Sequence, residues 1–218
     1  MKHSKRKYNL ERLQSNQLFD LARFVVSENF KKHTNETYPK EYETEINHIF
    51  REELNYFENA QVFVFKDSSN TIVGSIRVLR WNYIDVLPIQ KIFNIDSSVI
   101  CVKSCSSPIW HIGRFAIHEG IRDVGLFKQL IICALSPICK DESSIAYAEC
   151  DSKLLRILLV LGIKAQPIGD SINYLGSETV PIKITHSGLI DFYRKNQVLV
   201  PIDFLNLSHG MSKNYTFV

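Results

Sequence analysis

With 218 residues, 45% of them hydrophobic, the chain is long enough for one substantial core, and its formal charge of +3 is too small to mark a nucleic-acid binder. Its five cysteines, Cys101, Cys105, Cys133, Cys139 and Cys150, are odd in number and fit neither a zinc framework nor a disulfide scaffold, which points to a reduced, cytoplasmic setting. Residues 1–10 are too polar for the apolar region of a signal peptide, and the most apolar runs, 129–139 and 154–163, are too short and interrupted to span a bilayer.

Lys2, Lys5, Arg6 and Lys7 concentrate the positive charge at the amino end, so residues 1–13 are expected to be a basic, flexible tail and 14–218 a single domain. From 14 to 32, Leu18, Leu21, Ala22, Val25, Val26 and Phe30 recur at three and four, the mark of an amphipathic helix. A second helix is expected over 40–57, with Pro39 at its start, Ile46, Ile49, Phe50, Leu54 and Phe57 inward, and Glu43, Glu45, Glu52 and Glu53 on its wet side. Residues 61–66 and 71–81, rich in Val, Ile and Phe and joined by Asp67-Ser68-Ser69-Asn70, read as a hairpin. Gly74 within it marks a bulge or close backbone packing. The irregular stretch 82–107, with one short helix near 89–93, is long enough to cover a site. A strand holding His111 and Arg114 comes next, then a helix over 124–135 stopped before Pro137, a strand over 144–149 and a helix over 152–161 ended by Gly162. Short strands at 163–168 and 180–185 and a helical turn at 189–195 complete an α/β or α+β domain around one mixed sheet.

The stretch Trp110-His111-Ile112-Gly113-Arg114-Phe115-Ala116-Ile117, followed by Arg122-Asp123-Val124-Gly125-Leu126-Phe127, is a strand, a basic glycine turn and a helix start. Such a junction offers backbone amides and the positive end of a helix to an anion, and the strand before it offers an edge to an extended ligand such as a phosphopantetheine thioester. His111 on that strand is the side chain best suited to take a proton near neutral pH; a strand histidine with a hydrogen-bond partner is the plainer alternative. Alternation places His111 and Arg114 on opposite faces, and Gly113 permits a bulge that would turn both to one cleft. Arg114 could then hold a substrate carboxylate or make a structural ion pair, and Arg77 and Arg80 share that ambiguity. Cys150 reads as a small buried residue, and the histidines form no metal-ligand spacing.

The element order, with Arg122-x-x-Gly125 between strand and helix, resembles the GCN5-related N-acetyltransferase (GNAT) fold. Val73-Gly74-Ser75-Ile76-Arg77-Val78-Leu79-Arg80-Trp81, His111-Ile112-Gly113-Arg114-Phe115-Ala116-Ile117 and Leu155-Arg156-Ile157-Leu158-Leu159-Val160-Leu161-Gly162 look most like the autoinducer synthases and the long-chain N-acyl amino acid synthases. The resemblance implies a single mixed sheet flanked by helices, with a splayed central strand pair and the bulge near Gly113. It also implies an acyltransferase with no tightly bound cofactor, whose donor is an acyl carrier protein or coenzyme A thioester. Phe115, Ala116 and Ile117 would pair with the pantetheine arm, and Arg122, Val124, Gly125, Leu126 and Phe127 would receive its phosphate. His111 stands where autoinducer synthases carry a glutamate proposed to accept the proton, and their S-adenosylmethionine set has no match beyond Arg23 and Phe30, so the N-acyl amino acid synthases are the closer comparison. Phe127 replaces the usual small residue of the turn and could crowd a diphosphate, which puts a carrier-protein donor on at least an equal footing with coenzyme A; Lys128, Lys153 and Arg156 could meet such a carrier or simply form a solvated face.

The expected activity is transfer of a long-chain acyl group to the amine of a small molecule, an amino acid, by direct attack, with His111 as base and Arg114 beside it. Phe24, Val25, Phe30 and the segment 84–93 could line an acyl tunnel or simply pack in the core. A catalytically silent acyl-thioester or carrier-protein binding module, and a short-chain acetyltransferase acting on a polyamine or drug-like amine, are the competing readings on the same fold.

Overall fold

The computed structural model describes residues 7–31, 42–100, 107–174 and 177–205. In chain order these form β1 (Asn9–Arg12), α1 (Leu18–Lys31), α2 (Tyr42–Tyr56), β2 (Ala60–Lys66), β3 (Ile72–Arg80), α3 (Pro88–Phe93), α4 (Ser97–Ile100), β4 (Ile109–Ile117), α5 (Val124–Ile138), β5 (Ile145–Asp151), α6 (Ser152–Val160), β6 (Gln166–Pro167), β7 (Ile172–Tyr174), β8 (Ser177–Thr185), α7 (His186–Asn196) and α8 (Ile202–Leu205). The strands make one mixed sheet in the order β1-β2-β3-β4-β5-β8-β6, with β7 also on β8. Among the described residues only β4 and β5 run parallel.

Alternation along the strands divides the core into two layers. Phe63, Ile76, Val78, Trp110, Ala146 and Ala148 face α5, α6 and α7, whereas Val62, Val64 and Leu79 face α1, α2 and α3. A sheet with both faces covered explains why β3 is buried along all but its last residue. The expected fold class is therefore found.

Several expectations change on contact with the structure. Residues 9–12, expected within the tail, form β1 and pair with β2, and Leu13 is buried behind them. The helix expected to stop before Pro137 runs on to Ile138, because a proline in the last turn removes one amide while the Cys139 N–H still reaches the Leu135 carbonyl at 2.9 Å. The strand expected over 163–168 shrinks to β6, and β7, which no alternating pattern marks, appears beside it. Cys101 and Cys105 lie outside the described residues, as do the expected tail residues Lys2, Lys5 and Arg6 and the helix start at Pro39.

Two glycines set how closely the helices approach the sheet. At Gly74 the β2–β3 register slips, and a Cβ there would stand 3.2 Å from both Leu126 Cδ2 and Leu130 Cδ1. The missing side chain lets the start of α5 lie close on β3. Gly162, at φ +87°, ends α6 while the Gly162 and Ile163 amides reach back to the Leu159 and Leu158 carbonyls. Replacing Gly74 with valine should push α5 from the sheet and cost about 1–3 kcal/mol by overpacking, read as a lower urea midpoint with an unchanged slope.

Candidate active site

β4 carries an irregularity that organises the site. Arg77 pairs with Gly113 and Ser75 with Ala116, so two residues of β4, Arg114 and Phe115, oppose the single residue Ile76 of β3. This is a bulge. Its strain sits on Arg114, whose φ is +54°, rather than on the glycine beside it. Ser75 Oγ donates to the displaced Arg114 carbonyl at 2.7 Å and helps hold the kink. The result is that Arg114, which alternation would send toward α5, meets α2 instead, on the same face as His111.

A second departure opens the sheet. β4 and β5 pair only as far as Ile112 and Ala148, while β4 runs on to Ile117 and β5 to Asp151. Beyond that last pair the strands part, and a cavity of about 160 Å³ occupies the gap. Arg77, His111, Arg114, Glu149 and Tyr174 line its polar end, and Ile131, Leu135, Leu158, Ile182 and Leu189 its apolar end on the other side of the sheet. Val25, Pro88 and Ile92 also border it, whereas Phe24 and Phe30, for which tunnel lining and core packing were both open, pack in the core.

The polar side chains form one connected chain. His111 is fully buried, with Nε2 at 2.8 and 3.0 Å from the two Glu149 carboxylate oxygens and Nδ1 at 3.1 Å from the Arg77 guanidinium. An arginine has only N–H groups to offer, so Nδ1 must accept, and the ring proton sits on Nε2 and is donated to Glu149. Arg77 also donates to Glu53 at 2.5 Å. Arg114 donates through Nε to the same Glu53 oxygen at 2.7 Å and through a terminal nitrogen to Glu52. Lys91 reaches Glu52 at 3.4 Å and the Tyr56 hydroxyl at 3.2 Å. Gly113 has a packing role here: a Cβ would lie 3.1 Å from His111 Cε1 and 3.2 Å from Arg77.

Burial and charge set the titration of these groups. Burial opposes ionisation of Glu52, but Arg114, Arg77 and Lys91 together outweigh it and hold the carboxyl below its ordinary value. Burial works against the charge of Arg114 too, yet Glu53 and Glu52 raise its pKa overall. Burial pushes the Tyr174 hydroxyl up to about 12, against the pull of Arg114. The Cys150 thiol is likewise pushed up to about 12 by burial, which keeps it protonated and inert.

The donor side differs from what the turn suggests. The His118 N–H donates to Val73, so alternation turns the polar groups of Ile117 to the opposite edge, where β5 has already left. Phe115, half-buried beside this edge, stacks edge-on against Phe127 with ring centres 5.3 Å apart, and Ala116 is buried against α1. The amides of Gly125 and Leu126, however, are taken: Asp123 caps α5, its Oδ1 accepting from them at 2.7 and 3.2 Å. A Cβ on Gly125 would meet that carboxylate at 3.0 Å. Arg122 and Val124 are exposed.

Of the expected site residues, His111, Arg114 and Phe115 line the cavity, Ala116 and Ile117 do not, and the sequence reading missed Glu53, Glu52, Glu149 and Tyr174. It had placed Glu52 and Glu53 in water, yet they are 8% and 1% exposed. Their pairing with arginines is why they can turn inward. Arg77→Met should leave Glu53 buried with half its partners gone and cost about 3–5 kcal/mol, measured as a fall in the free energy of urea unfolding.

No family model and no curated protein matches the chain. Solved structures do. FeeM, an N-acyl amino acid synthase from uncultured soil microbes, is similar over 88% of this chain and 97% of its own, with 11% identity and a TM-score of 0.59. The AHL synthase LasI covers 86% of this chain and 94% of its own at 14% identity and 0.54. For a GNAT-family acetyltransferase from Staphylococcus aureus Mu50 the coverages are 82% and 99%, the identity 14% and the TM-score 0.52. With the parted β4 and β5, the bulge and the order of elements, these likenesses show that the chain has the GNAT fold.

Proposed function

We propose that the protein is an N-acyltransferase that moves an acyl group from a phosphopantetheine thioester to the amine of a small molecule by direct attack. The observation that carries this is the cavity between β4 and β5, which joins a carboxylate and a buried polar chain on one face of the sheet to an apolar space on the other. The thioester lies along the free edge of β4, its acyl arm passing between the strands. The acceptor nitrogen meets the carbonyl at the polar end.

In this arrangement the proton acceptor is Glu149 rather than His111. Both ring nitrogens of His111 are engaged, Nδ1 by a donor that cannot move a proton onto it, so the imidazole serves to orient Glu149. Glu149 takes a proton from the ammonium group and frees its lone pair, the amine attacks the thioester carbon and the N–C bond forms, the C–S bond breaks, and the second nitrogen proton passes to the departing sulfur. Thiolate is a good leaving group. Tyr174, with its hydroxyl raised to about 12, keeps its proton and acts as a hydrogen-bond donor to developing charge, not as an acid that gives the proton up.

Two features bear on the donor and the acyl group. The anion seat at the start of α5 is filled by Asp123, whose carboxylate takes the Gly125 and Leu126 amides, which weighs more heavily against the diphosphate of coenzyme A than against the single phosphate of a carrier-protein arm. A cavity of about 150 Å³ accommodates a benzene ring, and the apolar end is only part of the about 160 Å³ here, so the present space suits a short acyl arm better than the long chain the resemblance implied. A longer chain requires α5 and α6 to part. The rival reading as a silent binding module leaves the buried Glu149–His111–Arg77 relay without a purpose.

Glu149→Gln keeps the acceptor for the His111 N–H but removes the base. It should lower kcat/KM about 100- to 10,000-fold at an unchanged Tm, followed as thiol release from acyl carrier protein in the presence of amine; full activity in this variant rules the base out. Asp123→Ala frees two amides, and KM for acyl-CoA should fall while KM for the carrier-protein donor stays, at a stability cost of about 0.5–2 kcal/mol from the lost cap.

A further inference from the structure

We infer that the acceptor is a cationic amine with no carboxylate beside its nitrogen, not an α-amino acid. The inference rests on the acyltransferase reading and narrows its substrate class.

The argument is one of charge at the polar end of the cavity. An α-amino acid brings a carboxylate next to the ammonium group, and a site that takes it must offer a cation, most simply a guanidinium fork. Both arginines that line the cavity are committed. Arg114 is held by Glu53 at 2.7 Å and by Glu52, and the pull of these two carboxylates is what turns it through the bulge. Arg77 is divided between Glu53 at 2.5 Å and His111 Nδ1 at 3.1 Å. Among the described residues its Nε–H is the one buried donor of the relay without a partner, and it offers one hydrogen bond rather than the two-pronged fork that pairs best with a carboxylate. Lys91, the remaining cation of the network, is bound to Glu52 and Tyr56.

The carboxylates are less fully matched. Asp151 and Glu149 line the cavity, so three cations of the network face four carboxylates. Asp151 caps α6, its Oδ1 accepting the Leu154 N–H at 2.7 Å. Among the described residues Glu149 is hydrogen-bonded to the His111 N–H alone, the other ring nitrogen accepting from Arg77. An ammonium group entering between β4 and β5 therefore meets an uncompensated anion and supplies the missing positive charge. A carboxylate arriving with it would stand beside Glu149 in a largely buried space where, among the described residues, every cation lining the cavity is already held by a carboxylate, and the desolvation and repulsion would weigh against binding.

The test uses the full chain, one acyl carrier protein thioester as donor, and acceptors in pairs that differ only by the carboxylate: tyramine with tyrosine, cadaverine with lysine, agmatine with arginine. Products are quantified by mass spectrometry, and acceptor binding by calorimetry on protein loaded with a non-reactive thioether analogue of the donor. The expected result is kcat/KM and affinity at least ten-fold higher for the decarboxylated member of each pair that reacts. Equal or greater use of the amino acid in any pair overturns the inference and leaves the acyltransferase reading standing. Selective binding of the amines without product upholds the charge argument and overturns the catalytic reading. Absence of binding to either member of all three pairs overturns the inference.

Discussion

Arg114 meets Glu52 and Glu53 because the strand that carries it is broken, and those carboxylates, together with the Ser75 hydroxyl on the Arg114 carbonyl, hold the break in place. A non-glycine residue in the left-handed region costs about 1–3 kcal/mol, and burying two carboxylates without a partner costs more. Each penalty is met by the other feature. The cleft arises from this reciprocity, since a regular β4 would send the guanidinium into the apolar layer under α5. Glu53 is the pivot. It takes Arg77 and Arg114 on one oxygen, and through Arg77 it determines which nitrogen of His111 carries the proton, and so which way Glu149 points.

Much of the architecture was legible in the chain. The spacing of apolar residues marked α1 and α2, the Asp67–Asn70 turn marked the hairpin, and the order of strands and helices marked one mixed sheet. The candidate site was legible in part, because a strand histidine, an arginine and an adjoining glycine turn are local features. What escaped was non-local. Glu53 lies four residues after Ile49 and three before Tyr56, squarely on the buried stripe of α2. Its position announced burial while its charge argued for water, and only the arginines brought from β3 and β4 resolve that conflict. Glu149 stands between two small buried neighbours on β5, where alternation points it to the opposite layer, but nothing nearby in sequence names its histidine. Tyr174 sits on a three-residue strand that exists only because β8 pairs with it.

The glycine turn shows how the same residues can belong to a different arrangement. Asp123 lies within the segment that suggested an anion cradle, and its carboxylate occupies the amides a phosphate would need. A capping aspartate and an anion-binding loop draw on the same unpaired N–H groups. Which of them forms depends on whether the residue before the helix can fold back, as Asp123 does.

Because the cavity passes from one face of the sheet to the other, its two ends are built from separate layers that share only the parted strands. Side chains such as Leu135 and Leu189 can grow or shrink without disturbing any ion pair, and the charged residues above can change without altering the apolar floor. Descendants of such a scaffold are free to alter the length of what they transfer and the identity of what receives it one at a time, a separation that a pocket confined to a single layer would not allow.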